Sequence, residues 1–438
     1  MRARLLSAIV GLACVLSARA AAADDSKPKT PAREFASGRL FLSADDALPI
    51  VSVGALDQRS DPSGLKLGDT SGPAGLAHPI PLALDIGLEA GITFGGSVVT
   101  QHELSSARDP GLETPVARER THYTTIGVRA GWLAPIGRSL AVWTRVSAAW
   151  TKIEERVEVH DRVDFRIDSN LAFVPRGTWA ITAGPSLTGP GNRHVGFEPH
   201  LALSAGLVGR VDAPPRLKDD DDAEKPPLTL PRLILGVERV VPLLRYDVVE
   251  RDGPSTEGLP PHLTTRTLSG GSIDSKRTSP VSLTRASLDV CAYEGLTIGS
   301  ALAIGWARTG LGNKLVPGRN LTTTFTLAAS PRVGWLARLS RFVMVWPRAG
   351  ATYYRADVDR PDVGSVPSHH LAVDFGAPFI FDIARGFGVT VSPDVSIPIV
   401  GSEQAVGRYR LVADSVNAGA VDVEVLSASL SGGIVVLL

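Results

Sequence analysis

Hydrophobic and polar residues alternate one by one along much of this chain. From Leu82 to Glu89 the even positions are Leu82, Leu84, Ile86 and Leu88, while the odd positions are Ala83, Asp85, Gly87 and Glu89. Successive strand side chains point to opposite faces, so this segment has one wholly aliphatic face and one small or acidic face. A helix would mix Asp85 and Glu89 with their apolar neighbours and would be weakened by glycine. The same period-two pattern returns at Ile92–Gly95, Ile126–Trp132 and Leu296–Gly299. These segments are predicted as strands. After the N-terminal region no run reaches the 18 apolar residues of a spanning helix.

The N-terminus has a different pattern. Arg2 and Arg4 precede an apolar run from Leu5 to Ser17, followed by the small residues Ala18-Arg19-Ala20 and Ala20-Ala21-Ala22. This order, basic then apolar then small, is that of a secretory signal, and residues 1–22 are expected to be removed. Cys14 would leave with them, so the exported chain would keep Cys291 as its single thiol. One cysteine makes no internal disulfide, and stability must then come from backbone pairing and packing.

The chain also repeats itself. Arg129–Trp150 reads RAGWLAPIGRSLAVWTRVSAAW and Arg332–Tyr353 reads RVGWLARLSRFVMVWPRAGATY, with ten identities in 22 positions. Chance would give about one or two. LDIGLEAGITFGGSV from Leu84 resembles LDVCAYEGLTIGSAL from Leu288, and RLFLSADDALPIV from Arg39 resembles RLILGVERVVPLL from Arg232, in the same order. The pattern predicts a tandem duplication with units at 34–212 and 229–438. Residues 213–228, rich in proline and carrying Asp219 to Asp222, are read as a solvated linker. Consecutive aspartates lack the alternation and the turn glycine of a calcium loop.

Within each unit the connections alternate in length. In the first, the short ones are Glu89-Ala90-Gly91, Pro135 to Ser139 and Pro175-Arg176-Gly177, and long polar ones fall near 54–79, 100–122, 152–164 and 188–196. With Arg39 to Val53 taken as one strand bent at Asp45-Asp46, each unit has eight strands. The predicted fold class is all-β, an antiparallel up-and-down transmembrane β-barrel. Two eight-stranded barrels are expected, with one 16-stranded barrel as the alternative.

Composition narrows the function. Lys and Arg number 45 and so do Asp and Glu, giving zero net charge over 438 residues. A nucleic-acid binder needs a basic face to release counterions, so that class is excluded. The signal, the glycine-rich alternating strands and the short turns opposite long loops together resemble the small outer-membrane β-barrels of Gram-negative bacteria, of the OmpA transmembrane-domain type. The GWLA and VWPR hairpin, followed by Gly388 to Pro393, also resembles uncharacterised outer-membrane barrel proteins. The resemblance implies residence in the outer membrane, contact with its lipid and insertion by the outer-membrane assembly machinery. Two departures are a C-terminal Leu438, where such barrels usually end in an aromatic residue, and an aromatic content of only 6%.

The polar positions of the repeat can be assigned to a face. Arg129, Arg145 and Asp85 each alternate with apolar neighbours, as do Arg332, Arg348 and Asp289. A charge facing lipid costs about 2–4 kcal/mol at the bilayer midplane, so these groups should point inward and pair. The expected network is Asp85 with Arg129 and Arg145, mirrored by Asp289 with Arg332 and Arg348. Catalytic signals are weak. Ser368-His369-His370 is the one histidine cluster, and it stands in the second unit alone. No cofactor, metal or catalytic residue is predicted. The expected function is a non-enzymatic outer-membrane protein, structural or presenting surface loops, where any extracellular ligand would bind. The alternatives are a porin-like channel formed by one fused barrel and a soluble periplasmic ligand-binding barrel.

Overall fold

The computed structural model describes residues 30–56, 82–108, 117–155, 158–190, 200–211, 230–252, 262–270, 283–311, 321–340, 342–360, 364–384, 386–406 and 417–438. The signal region, the linker and most of the long connections lie outside the described residues. Among the described residues no helix is long and apolar enough to cross a membrane. One short helix, α1 (Pro31–Ala36), precedes the strands. The first unit holds β1 (Leu40–Leu56), β2 (Ala83–Gly87), β3 (Ile92–Arg108), β4 (Ala117–Pro135), β5 (Leu140–Glu155), β6 (Glu158–Arg176), β7 (Trp179–Pro190) and β8 (His200–Arg210). The second holds β9 (Leu233–Asp252), β10 (His262–Gly270), β11 (Arg285–Tyr293), β12 (Leu296–Leu311), β13 (Leu321–Trp335), β14 (Ala337–Arg338), β15 (Val343–Val345), β16 (Arg348–Arg360), β17 (Gly364–Gly376), β18 (Phe379–Ala384), β19 (Phe387–Val406) and β20 (Asn417–Leu437).

Each strand from β1 to β8 pairs antiparallel with the next, and β8 pairs back onto β1. This is a closed ring of eight. In the second unit β10 and β11 pair with the upper and lower parts of β9, and together supply one wall position. Breaks at Leu336, Trp346-Pro347 and Ala377-Pro378 divide three further strands into β13 with β14, β15 with β16, and β17 with β18. With these joined, the second set is also eight strands, closed by β20 on β9.

The rings differ from the sequence expectation at their loop ends. There β2 and β11 have ended, and the upper part of β1 pairs with β12 (Val51 opposite Trp306 through Leu56 opposite Leu311), while β3 pairs with β10 (His102 opposite Gly270 through Arg108 opposite Thr264). Among the described residues the perimeter then runs through β3 to β8, β1, β12, β13, β16, β17, β19, β20, β9 and β10, a single ring of fifteen. The expected all-β fold with two sets of eight strands is present, and among the described residues the two sets are joined rather than separate. The chain has two eight-stranded rings at the short-turn end that merge into one rim at the loop end. The β1–β12 pairing is parallel, the one departure from an antiparallel sheet among the described pairings.

Local sequence accounts for the short turns and the bends. Ala90 and Gly91 both adopt positive φ, as do Glu294 and Gly295, giving tight hairpins whose twist matches the strands they join. A side chain on Gly91 or Gly295 would run into the carbonyl of Leu133 or Leu336. The β1 register shifts between Ala44 and Leu48, at the Asp45-Asp46 bend. In β9, Arg239 takes a φ of 57° and the register against β20 shifts beside it.

The rings also touch below the rim. Ala44, Trp179 and Leu207 face out of the first ring and pack against Val237, Val240, Ala384, Phe387, Ile434 and Val436, which face out of the second. Phe387 lies flat on the backbone at Gly209, where any Cβ would strike its ring. This joint removes from solvent an apolar surface that each ring would otherwise present outward.

Candidate functional site

The chemistry-bearing side chains lie inside the rings. Along β5, Trp143, Arg145, Ser147, Ala149 and Thr151 are buried, while Val146 and Trp150 between them are exposed. Alternation therefore sends the polar residues inward, the reverse of a soluble protein. Inside the first ring Trp143 is 0% exposed and packs with Phe35 of α1, Phe41, Leu133 and Val208. Its indole nitrogen donates to Thr93 Oγ1 at 3.0 Å. The Arg145 and Arg129 guanidiniums lie 4.8 and 5.8 Å from the Trp143 ring centroid.

The second ring repeats this layer. Trp346 is 1% exposed and packs with Ile234, Leu336, Met344 and Ile380. It donates to Thr297 Oγ1 at 2.8 Å. Arg348 and Arg332 stand 4.8 and 5.1 Å from its centroid. A cation over a desolvated indole face is stabilised by the ring quadrupole, and here each indole is flanked by two cations.

The expected carboxylates are found in part. Arg129 Nε donates to Asp85 Oδ1 at 2.6 Å and its Nη2 reaches Asp85 Oδ2 as well. Arg332 Nε donates to Asp289 Oδ1 at 2.9 Å, with Nη2 to Oδ2 at 2.5 Å. Both pairs are two-pronged, the strongest geometry for this chemistry. Arg145 and Arg348 correct the expectation. Arg145 does not share Asp85; its Nε and Nη2 donate to Asp168 Oδ1, the cross-strand neighbour on β6, at 2.7 and 2.5 Å. Arg348 does not share Asp289; its Nη1 donates to Glu238 Oε1 at 2.5 Å, and its Nη2 lies 3.9 Å from Asp394. In both rings a nearer acid on another wall takes the second arginine.

Above this layer the second ring continues as a column of pairs. Glu238 also accepts from Arg332 Nη1 at 2.9 Å. Arg285 donates to Thr352 at 3.1 Å and faces Asp374 at 3.6 Å, Arg239 faces Asp394 at 3.9 Å, and Arg245 faces Asp247 at 2.6 Å. Among the described residues the first ring encloses Arg129, Arg145 and Arg166 against Asp85, Asp164 and Asp168. The second encloses Arg239, Arg245, Arg285, Arg332 and Arg348 against Glu238, Asp247, Asp289, Asp374 and Asp394. Counted over the buried side chains of the described residues, each interior is balanced by itself. Part of the chain's zero net charge is thus internal pairing.

Sequence reading missed Asp168, Glu238 and the Thr93 and Thr297 acceptors. All four stand at inward positions of alternating strands, a signal that marks the face but not the partner. Ser368 and His370 are two apart on β17, share a face, and join by a 3.0 Å hydrogen bond beside Tyr354. Glu89 sits in the first short turn. Among the described residues, no three His, Cys, Asp or Glu side chains group as a metal site would require.

No protein-family model and no curated protein sequence matches the chain. Solved structures similar to it are β-barrels. A FadL homologue from Pseudomonas aeruginosa covers 93% of this chain and 92% of its own length, at 10% identity and a TM-score of 0.32. An outer membrane channel from Pseudomonas putida F1 covers 80% and 97%, at 10% identity and 0.28. The β domain of the Bordetella autotransporter BrkA covers 78% and 99%, at 8% identity and 0.26. At this level the likeness is a loose one of fold and assigns neither activity nor substrate.

Proposed function

We propose that the chain is a non-enzymatic outer-membrane protein, a structural double barrel that presents its loop-end segments outside the cell. The observation that carries this reading is the inversion of faces, with ion pairs enclosed in both rings and aliphatic and aromatic side chains turned outward. On β5 the outward set runs from Leu140 through Val146 to Trp150, and on β17 and β18 from Leu371 through Phe375 to Phe381. Each set spans about ten residue steps, about 33 Å along a strand and about 25 Å at a tilt of about 40°, the height of a bilayer's apolar band. A soluble periplasmic barrel would carry its aliphatics inside.

The two units read as one ancestral barrel written twice, and the layers around Trp143 and Trp346 support that reading. Export through removal of residues 1–22 belongs to the same proposal. Filled interiors favour a closed barrel over a channel: conductance of the purified protein in planar bilayers should show no stable open state. A steady opening of porin size would overturn the structural reading. The porin alternative draws on one observation, the shared rim. Cysteines at Val53 and Arg308, paired across the rim, should cross-link in the exported protein; two independent barrels would leave them apart.

A further inference from the structure

We infer that the outer flank of each ring carries a docking site for a phosphate-bearing lipid headgroup, formed by an aromatic residue, a cation and a carboxylate at alternate positions of one strand. In the first ring these are Trp150, Lys152 and Glu154 on β5; in the second, Tyr353, Arg355 and Asp357 on β16. The triplets stand at the offset of the repeated hairpin and begin at its last residue. Each belongs to the fifth wall position of its ring, away from the joint. The inference rests on the membrane reading above.

Geometry places these side chains where a headgroup would be. Their inward neighbours, Thr151, Tyr354 and Ala356, are buried, so alternation turns the triplets outward. On the turn side lies the apolar band, and Trp150 and Tyr353 close it with amphipathic rings of the kind that settle at a lipid–water boundary. The cation follows one step toward the loops and the carboxylate one step further. Lys152 Nζ meets Glu154 at 2.5 Å, and Arg355 Nε meets Asp357 at 2.7 Å. The neighbouring walls add Thr124 and Asp161 opposite Lys152, His122 opposite Glu154, and His369 opposite Arg355. His369 Nδ1 lies 3.2 Å from the Tyr353 hydroxyl.

Donor chemistry then selects the occupant. Asp357 engages only Nε of Arg355, and among the described residues both terminal nitrogens of that guanidinium are left to face outward. They form the fork that suits two phosphate oxygens. Lys152 has three N–H donors, of which Glu154 takes one. Both cations are substantially exposed, 39% for Lys152 and 46% for Arg355. An exposed pair of this kind contributes little to folding, so a phosphate can replace or join its carboxylate at low cost. A lipid headgroup fits better than free phosphate, because its acyl chains would lie on the band that begins at Trp150 and Tyr353.

The test uses the full-length exported protein in phosphatidylcholine bilayers with and without phosphatidic acid, with retained lipid counted by native mass spectrometry. Wild type should retain phosphatidic acid, K152Q or R355Q should lose about half of the retained molecules, and the double variant should lose nearly all. K152R should preserve retention, R355K, which keeps the charge but lacks the fork, should retain more than R355Q and less than wild type, and inorganic phosphate should not compete. R138Q, a substitution at an exposed residue of a short turn, serves as the control. Unchanged retention in the double variant, or an equal loss in R138Q, would overturn the site whatever else these flanks touch. A protein that fails to enter bilayers at all would instead overturn the membrane reading.

Discussion

The two rings hold the same tryptophan between the same two arginines, yet they neutralise those arginines differently. In the first ring the two arginines beside the indole take different carboxylates, Asp85 for Arg129 and Asp168 for Arg145, although Asp168 also lies 3.7 Å from Arg166, and Arg129 also donates to Ser43 Oγ at 2.5 Å. In the second, Glu238 reaches from β9 to both Arg332 and Arg348. Gly236 occupies the place of Ser43 in the repeat. The cations and the indole are thus repeated, while the counter-charges are assembled from whichever wall comes within reach. A separate pair can lose a member and leave one orphan. A shared acid couples its neighbours.

This difference sets the scale of the first prediction. Arg332→Leu leaves Asp289 and Glu238 buried with one fewer cation, whereas Arg129→Leu leaves Asp85 near the Ser43 hydroxyl. Breaking a buried pair costs about 3–5 kcal/mol, and the second ring should lie at the upper end or beyond. Urea unfolding in vesicles would measure both, and an equal or larger cost for Arg129→Leu would break the comparison. Next is the joint, which belongs to neither interior. Phe387→Ala empties a fully buried position and should cost about 3–5 kcal/mol, somewhat less if the rings slide to fill the gap. Each ring should keep its own pairs, so the cross-link between Val53 and Arg308 becomes the sensitive readout. A smaller effect sharpens the part that is repeated. Trp143→Phe and Trp346→Phe each remove one indole bond to a threonine and should each cost about 1–2 kcal/mol. Unequal costs would show that the two indole layers are not equivalent. Thr93→Val and Thr297→Val keep the shape of the layer but leave a buried indole N–H without its acceptor, at a cost of about 1–2 kcal/mol each.

Alternation along Leu82–Glu89 and around Arg129 and Arg145 made the strands and their inward face legible, and the hairpin repeat made the two indole layers legible. Both signals are local, two residues apart or carried by a constant offset. The bend at Asp45-Asp46 was readable too, because a polar pair interrupts an otherwise apolar strand. What pairs with what across a ring was not. Arg145 and Asp168 are 23 residues apart, Arg332 and Glu238 are 94, and Arg348 and Glu238 are 110. Period two fixes the face of a side chain but not its height or the wall opposite, which depend on strand tilt and register. The joint was hidden for a related reason. Trp179 and Phe387 sit on outward faces and read as lipid-facing until the second ring stands against them. The shared rim depends on β2 and β11 being short at their loop side, where Pro79 and Pro81 precede the one and Pro280 the other; proline marks where a ladder loses a donor, but not which strands then close the gap.

The short β2 has a consequence in parity. In a closed ring, neighbours can all run antiparallel only if their number is even. Once β2 drops out, the rim has an odd count, and one parallel contact is forced somewhere on its circumference. It falls between β1 and β12, the first strand of one ring and the third position of the other. Parallel ladders are slightly weaker per residue, so this seam is the place where the rim parts most readily. The seam also orders assembly. Everything the first ring needs to close lies before residue 211, but its rim edge on β1 has to wait for a strand made about 250 residues later. The molecule can therefore close twice on its own before it zips once.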